Sequence, residues 1–171
     1  FRTPTGKVEL RLSSAEKYGL PPLPCFEGLP EDDNPKYPLV LTSSKSRYYL
    51  HSSYRWLDRL REKRPDAKVE IHPDTAGQYG IAEGDTVLIE TRFGEIRQVA
   101  HLTASVHPKV IHASYGWWFP EEDPRSQYEW RKSNFNMLTS AGNLGKEFGT
   151  PNLKAIGCRI RKAGPGEEKA C

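Results

Sequence analysis

The chain has 171 residues, with 25 Lys and Arg against 22 Asp and Glu and a formal charge of +3. That length matches one compact domain of roughly 100–200 residues, long enough to bury a core without a metal or disulfide staple. So mild a charge is not the footprint of a dedicated nucleic-acid binder, and no apolar run approaches the ~20 residues of a helical membrane span. Three cysteines, Cys25, Cys158 and Cys171, form no CxxC pair, which argues against a zinc ribbon, an iron–sulfur cluster or a disulfide framework. The chain opens on Phe1 rather than Met, so any targeting segment is expected upstream, and both cytoplasmic and periplasmic placement stay open.

Residues 1–37 are loosely patterned. Pro21, Pro22, Pro24, Gly28, Pro30 and the run Glu31-Asp32-Asp33-Asn34-Pro35 lock or loosen too many φ angles for a helix. The stretch reads as an extended lead-in from a preceding domain, with one helical turn at Ala15-Glu16-Lys17-Tyr18 closed by Gly19. Pro38-Leu39-Val40-Leu41-Thr42 is a short buried strand that runs into a loop of hydroxyls and cations, Ser43-Ser44-Lys45-Ser46-Arg47. Between Tyr48 and Arg64, the spacing of Tyr54, Leu57 and Leu60 predicts a helical latter half, ended by Pro65.

Val69-Glu70-Ile71 is a strand, followed by a short helix from Pro73. Proline suits the first turn, Asp74 suits the positive end, and Gly80 supplies a left-handed stop. Glu83-Gly84-Asp85 turns the chain into Thr86-Val87-Leu88-Ile89-Glu90-Thr91. The turn at Phe93-Gly94 returns it along residues 95–102, a hairpin. Val110-Ile111-His112-Ala113 is another strand. An aromatic knot (Tyr115, Trp117, Trp118, Phe119) and an acidic loop (Glu121, Glu122, Asp123) follow, and Ala155-Ile156-Gly157-Cys158-Arg159-Ile160 closes the series. Residues 163–171 have the composition of a disordered tail. Many short strands with few helices predict a mainly β barrel over residues 38–162.

The stretch from Thr42 to Arg55 gathers Ser43, Ser44, Lys45, Ser46, Arg47, His51, Ser52 and Ser53 behind a buried strand. Guanidinium grips oxyanions bidentately and hydroxyls donate and accept at a heterocycle edge, so the loop is either an anion and heterocycle site or a solvated surface. Its glycine spacing is neither a Walker loop nor a dinucleotide fingerprint. The five histidines are scattered, with no HExxH or paired spacing, and no protein-built metal site is expected. The aromatic knot serves packing or stacking, and Asn134, Asn136 and Asn143 are amide readers or turn residues. No catalytic set is legible. The residues alone yield a barrel suited to an anionic heterocyclic ligand.

Four segments then carry a resemblance. Thr3-Pro4-Thr5-Gly6-Lys7-Val8-Glu9-Leu10 resembles the TP(S/T)GK(I/V)EL segment ahead of the last domain of molybdopterin oxidoreductases. Pro38-Leu39-Val40-Leu41-Thr42-Ser43 with His51-Ser52 resembles that domain's first strand and cofactor loop. Val69-Glu70-Ile71-His72-Pro73, Ala76, Gly80-Ile81, Glu83-Gly84-Asp85 and Val87 resemble its central signature, and Asn134-Phe135-Asn136-Met137-Leu138-Thr139 its late N-x-N-x-L-T segment. Together they are similar to the C-terminal molybdopterin-dinucleotide-binding domain of dimethyl-sulfoxide-reductase-type enzymes.

The resemblance implies a double-psi β-barrel with small inserted helices. It also implies a ligand, molybdopterin guanine dinucleotide in its bis form with molybdenum or tungsten. Cofactor contacts are expected at Thr42, Ser43, Ser44, Lys45, Arg47, His51, Ser52 and Arg55, at Asn134 and Asn136, and at Asn152 and Lys154. No catalytic or metal-ligating residue is expected in this segment, which by itself holds no complete active site. The implied partners are preceding domains of the same polypeptide and an iron–sulfur electron-transfer subunit. The competing reading is a stand-alone double-psi barrel acting as a binding or interaction module.

Overall fold

A computed structural model of the chain describes residues 1–23, 25, 34–142, 144–145 and 149–167. Pro24, residues 26–33, Asn143 and residues 146–148 and 168–171 lie outside the described residues. With them go the readings placed on Gly28, Pro30, the acidic run at 31–33, Asn143 and Cys171.

Six strands close a barrel: β1 (Leu39–Ser44), β2 (Lys68–Ile71), β3 (Thr86–Thr91), β4 (Gly94–Leu102), β5 (Val110–Ser114) and β6 (Ile156–Lys162). Around the wall the order is β1-β5-β2-β4-β3-β6. Two neighbouring pairs are parallel, β1 with β5 (Val40 opposite Val110) and β2 with β4 (Lys68 opposite Val99). The remaining pairs are antiparallel, including the β3–β4 hairpin with Thr91 opposite Gly94. Among the described residues, each strand of the closed barrel therefore has a neighbour on both sides.

Period-two alternation explains the interior. Leu39 and Leu41, Val69 and Ile71, Val87 and Ile89, and Ile96 and Ala100 point inward with Ile111, Ala113, Ile156 and Cys158. Each fully buried aliphatic side chain contributes about 1.5–3 kcal/mol. One inward position of β4 is polar. Gln98 donates Nε2 to the carbonyls of Ser114 (2.9 Å) and Ser133 (3.1 Å), and its Oε1 accepts from Ser114 N (2.8 Å). Every bond it needs is made, which is what makes its burial tolerable.

The helices are short. Helix α1 spans Asp58–Arg61 and α2 spans Pro73–Gln78, where His72 caps the start by accepting from Asp74 N through Nδ1. Pro73 opens α2 and Gly80 follows it at φ 64°, as the sequence predicts. The early turn is a 3-10 segment, Ser13–Tyr18, closed by left-handed Gly19. A further 3-10 segment, Phe135–Leu138, plugs one side of the barrel. Asn134 caps it, and Thr91 Oγ1 donates to the Leu138 carbonyl at 3.0 Å. At the C-terminal end, residues 163–167, assigned to a tail by composition, are hydrogen-bonded to the barrel. Ala163 N donates to Thr86 O, and Glu167 bonds both Gly164 N and Arg161.

Candidate functional site

The parallel pairing of β1 and β5 brings their C-terminal ends out at the same end of the barrel. The two outgoing loops lie side by side because Tyr115 N donates to Ser44 O at 3.0 Å and Trp118 Nε1 to Ser52 O at 2.7 Å. Gly116 makes the closest approach. Its φ is 72°, and a Cβ there would lie 2.8 Å from the His51 carbonyl carbon and 2.9 Å from its oxygen. Only glycine serves at that point.

Between the loop after β1 and the wall of β2 opens a cleft of about 590 Å³, lined by Ser44, Lys45, Ser46, Arg47, Tyr48, Arg64 and Glu70. Three cations face one carboxylate. That carboxylate is already engaged, with Glu70 Oε2 2.8 Å from His112 Nδ1 on the neighbouring strand. The cleft is therefore electropositive and rich in hydroxyl donors, which suits a phosphorylated heterocycle. A second cleft of about 430 Å³, lined by Asp58, Arg61, Glu62, Pro65, Asp66, Phe119 and Glu121, is dominated by carboxylates and repels such a ligand.

The structure gathers part of the expected set here. Thr42 is half-buried in β1, while Ser43 and Ser44 are buried at its end. Lys45 and Arg47 stand exposed on the lip of the cleft. Lys154 joins them from the far side of the chain, its Nζ donating to Ser43 O at 2.7 Å, and Asn152 Oδ1 accepts from Lys154 N at 3.2 Å. His51 and Ser52 are exposed in the adjoining turn, with His51 edge-on to Tyr115 at 5.5 Å.

Arg55 and Asn134 are placed differently from the sequence expectation. Arg55 is 1% exposed. It donates Nε to Trp118 O (3.1 Å) and Nη1 to Tyr49 Oη (3.0 Å), with its guanidinium 3.8 Å from the Trp117 ring centroid. Burial holds its pKa below the usual value, offset in part by the Tyr49 hydroxyl. Asn134 is 9% exposed; its Nδ2 donates to Trp117 O and its Oδ1 accepts from Asn136 N. Both side chains hold the aromatic knot and its neighbours in place. Asn136 remains exposed beside them. The knot itself is packing, with Trp117 and Phe119 buried against Tyr49 and Ala67.

Arg64, Tyr48 and Glu70 belong to the cleft without having been anticipated from sequence. Arg64 ends a cation-rich run with Arg59, Arg61 and Lys63, which by spacing alone is indistinguishable from a solvated helix face. Glu70 occupies a polar position of a strand, where a carboxylate is unremarkable. Their significance comes from strand order, which brings β2 beside β5.

The Molydopterin dinucleotide binding domain model matches residues 39–157. Dopamine dehydroxylase of Eggerthella lenta is 40% identical over 131 residues, 76% of this chain and 13% of that protein. Acetylene hydratase of Syntrophotalea acetylenica is 30% identical over 164 residues, covering 89% and 22%. Dimethyl sulfoxide/trimethylamine N-oxide reductase of Rhodobacter capsulatus is 34% identical over 165 residues, covering 91% and 19%. The chain thus spans between about an eighth and a quarter of the length of these relatives. The solved structure of acetylene hydratase from Pelobacter acetylenicus superposes with a TM-score of 0.82 at 30% identity, over 94% of this chain and 24% of that one.

Proposed function

The chain belongs to the molybdopterin-dinucleotide-binding domain family, and on that premise we propose that it forms part of the cofactor cradle of a larger molybdenum or tungsten oxidoreductase. The ligand in this reading is molybdopterin guanine dinucleotide, two copies of which hold the metal. When bound, that group supplies the redox-active metal centre. The observation that carries the reading is the cleft beside β1, whose hydroxyls and three cations fit a doubly anionic diphosphate and a hydrogen-bonding heterocycle. The buried Nε of Arg64, a residue of the cleft wall, is a donor lacking an acceptor among the described residues, which supports the reading.

Each residue has a distinct task. Lys45 and Arg47 compensate ligand charge at the lip, where unpaired burial of a diphosphate would be costly. Ser43 and Ser44 offer hydroxyls at the strand end. Lys154 fixes the Ser43 carbonyl and so the direction in which the loop leaves. Thr42, His51, Ser52, Asn136 and Asn152 line the approach, while Arg55 and Asn134 hold the supporting loop. Two parallel strand pairs within a closed six-stranded barrel support the double-psi form of the fold. The lead-in of residues 1–37 and the barrel of residues 38–162 then dock on the remaining domains, and an iron–sulfur subunit completes the electron path.

The complete polypeptide carrying this chain, purified and assayed for molybdenum, tungsten and releasable GMP, tests the reading. Metal with about two GMP per polypeptide is the result expected of the bis form. In that polypeptide Arg47→Ala lowers bound cofactor, whereas Lys63→Ala on the exposed side of the α1 region does not. Absence of metal and nucleotide from the wild type, or an Arg47→Ala variant with wild-type content, would overturn it.

A further inference from the structure

Arg64 is the one cation of the cleft that folding has taken largely out of water without giving it a good partner. Its Nε–H is buried and donates to no acceptor among the described residues. Its Nη2 reaches Ser114 Oγ at 3.4 Å, the outer limit of a hydrogen bond. That hydroxyl is already used: Ser114 Oγ donates to Lys68 O at 2.6 Å and accepts from Lys68 N at 3.0 Å. The nearest cleft carboxylate, Glu70, is held by His112. Burial lowers the Arg64 pKa, opposed by the charges of Glu70 and Asp66, so the ligand-free position is a costly one for a guanidinium.

A planar guanidinium presents Nε–H and one Nη–H in parallel, the fork that grips a phosphate oxyanion. In Arg64 this edge has an unsatisfied Nε and only a long Nη2 contact among the described residues, and the residue lines the cleft together with Tyr48 and Glu70. We infer that Arg64 is the anion-gripping residue of the cleft: on ligand binding it leaves Ser114 and turns its Nε–Nη fork onto an oxyanion of the diphosphate. This rests on the cofactor reading above. Lys45 and Arg47 then act as charge compensation at the lip, and Arg64 sets the position of the diphosphate. Ser114 loses only a long contact in the exchange, because its bonds to Lys68 persist.

The barrel closes on its own core, so the chain itself serves for the test, with inorganic pyrophosphate as the probe. Calorimetry reads affinity and the Arg Nε–H region of proton–nitrogen spectra reads the fork, each variant first being shown folded by its thermal melt. Saturable binding is expected, with a downfield shift of the Arg64 Nε–H resonance. Arg64→Lys, which keeps the charge and loses the fork, weakens binding roughly tenfold, and Lys63→Ala leaves it unchanged. If Arg64→Lys and Arg64→Ala bind as tightly as wild type while Arg47→Ala does not, the inference fails and the cofactor reading stands. If the wild-type chain ignores millimolar pyrophosphate the inference also fails, and the metal and GMP content of the complete polypeptide decides the cofactor reading separately.

Discussion

The Arg55 guanidinium lies 3.8 Å from the Trp117 ring centroid and 4.9 Å from that of Tyr49, while its nitrogens bond Trp118 O, Tyr49 Oη and, at 3.4 Å, Arg64 O. Stacking and a forked set of donors are properties lysine lacks. Arg55→Lys is therefore expected to destabilise the fold by about 1–3 kcal/mol, since it strips hydrogen bonds from groups that stay buried. Urea unfolding of the chain measures this, and an unchanged midpoint would show that the rings alone hold the knot. Arg55 and Asn134 look like ligand-reading side chains in sequence because type and loop context are all a sequence displays. Both are buried against Trp117, which lies far from Arg55 along the chain and 17 residues from Asn134, and burial of that kind is not displayed by a local stretch of sequence. The place of Lys45 and Arg47 at the lip of a cleft has a local cause. They follow directly on a buried strand, and the direction of the strand places them at its open end.

At the scale of elements, the β3–β4 hairpin was read correctly from a Gly turn between two β-rich runs, but the glycine serves another purpose. A Cβ at Gly94 would stand 2.5 Å from the Met137 carbonyl oxygen, so this position is open because the 3-10 segment Phe135–Leu138 packs its backbone there. Gly94→Ala is expected to cost about 1–3 kcal/mol, as overpacking does, and to loosen that segment first. Hydrogen exchange read at the amides of Met137 and Thr139 reports it; protection equal to wild type would mean that the backbone shifts without penalty. The turn at Gln127, Tyr128 and Glu129 was not legible at all. All three residues have φ between 50° and 56°, a left-handed turn without glycine. Such a conformation costs roughly 1–2 kcal/mol per residue and persists through tertiary contacts. Here these are the Tyr128 ring against Trp56 and Trp118 and the donation of Phe119 N to Tyr128 O. No local pattern announces contacts of that kind.

For the whole molecule, alternation and turn residues disclose the six strands, whereas their order around the wall follows from long-range closure, which no local pattern announces. Three carboxylates tie that closure together on the β3–β4–β6 side. Glu83 accepts from Leu102 N and contacts His101, Asp85 bonds Lys162 Nζ at 2.8 Å and Ala82 N at 2.7 Å, and Glu167 bonds Arg161 and Gly164 N. The backbone bond to Leu102 depresses the Glu83 pKa, the Lys162 bond depresses that of Asp85, and Arg161 pulls Glu167 down to about 2. A folded pKa below the unfolded value means that the unfolded chain binds protons first as acid is added. Their stabilisation is thus complete above the unfolded value of 4.5 for glutamate and falls away as the pH approaches 2. These groups lie near solvent, so salt screens the effect. The unfolding midpoint in urea is expected to fall between pH 5 and about pH 2, less steeply in high salt. In the triple variant Glu83→Gln, Asp85→Asn, Glu167→Gln the slope flattens because the titrating partners are gone. A triple variant that retained the wild-type pH profile would locate the acid sensitivity elsewhere in the barrel.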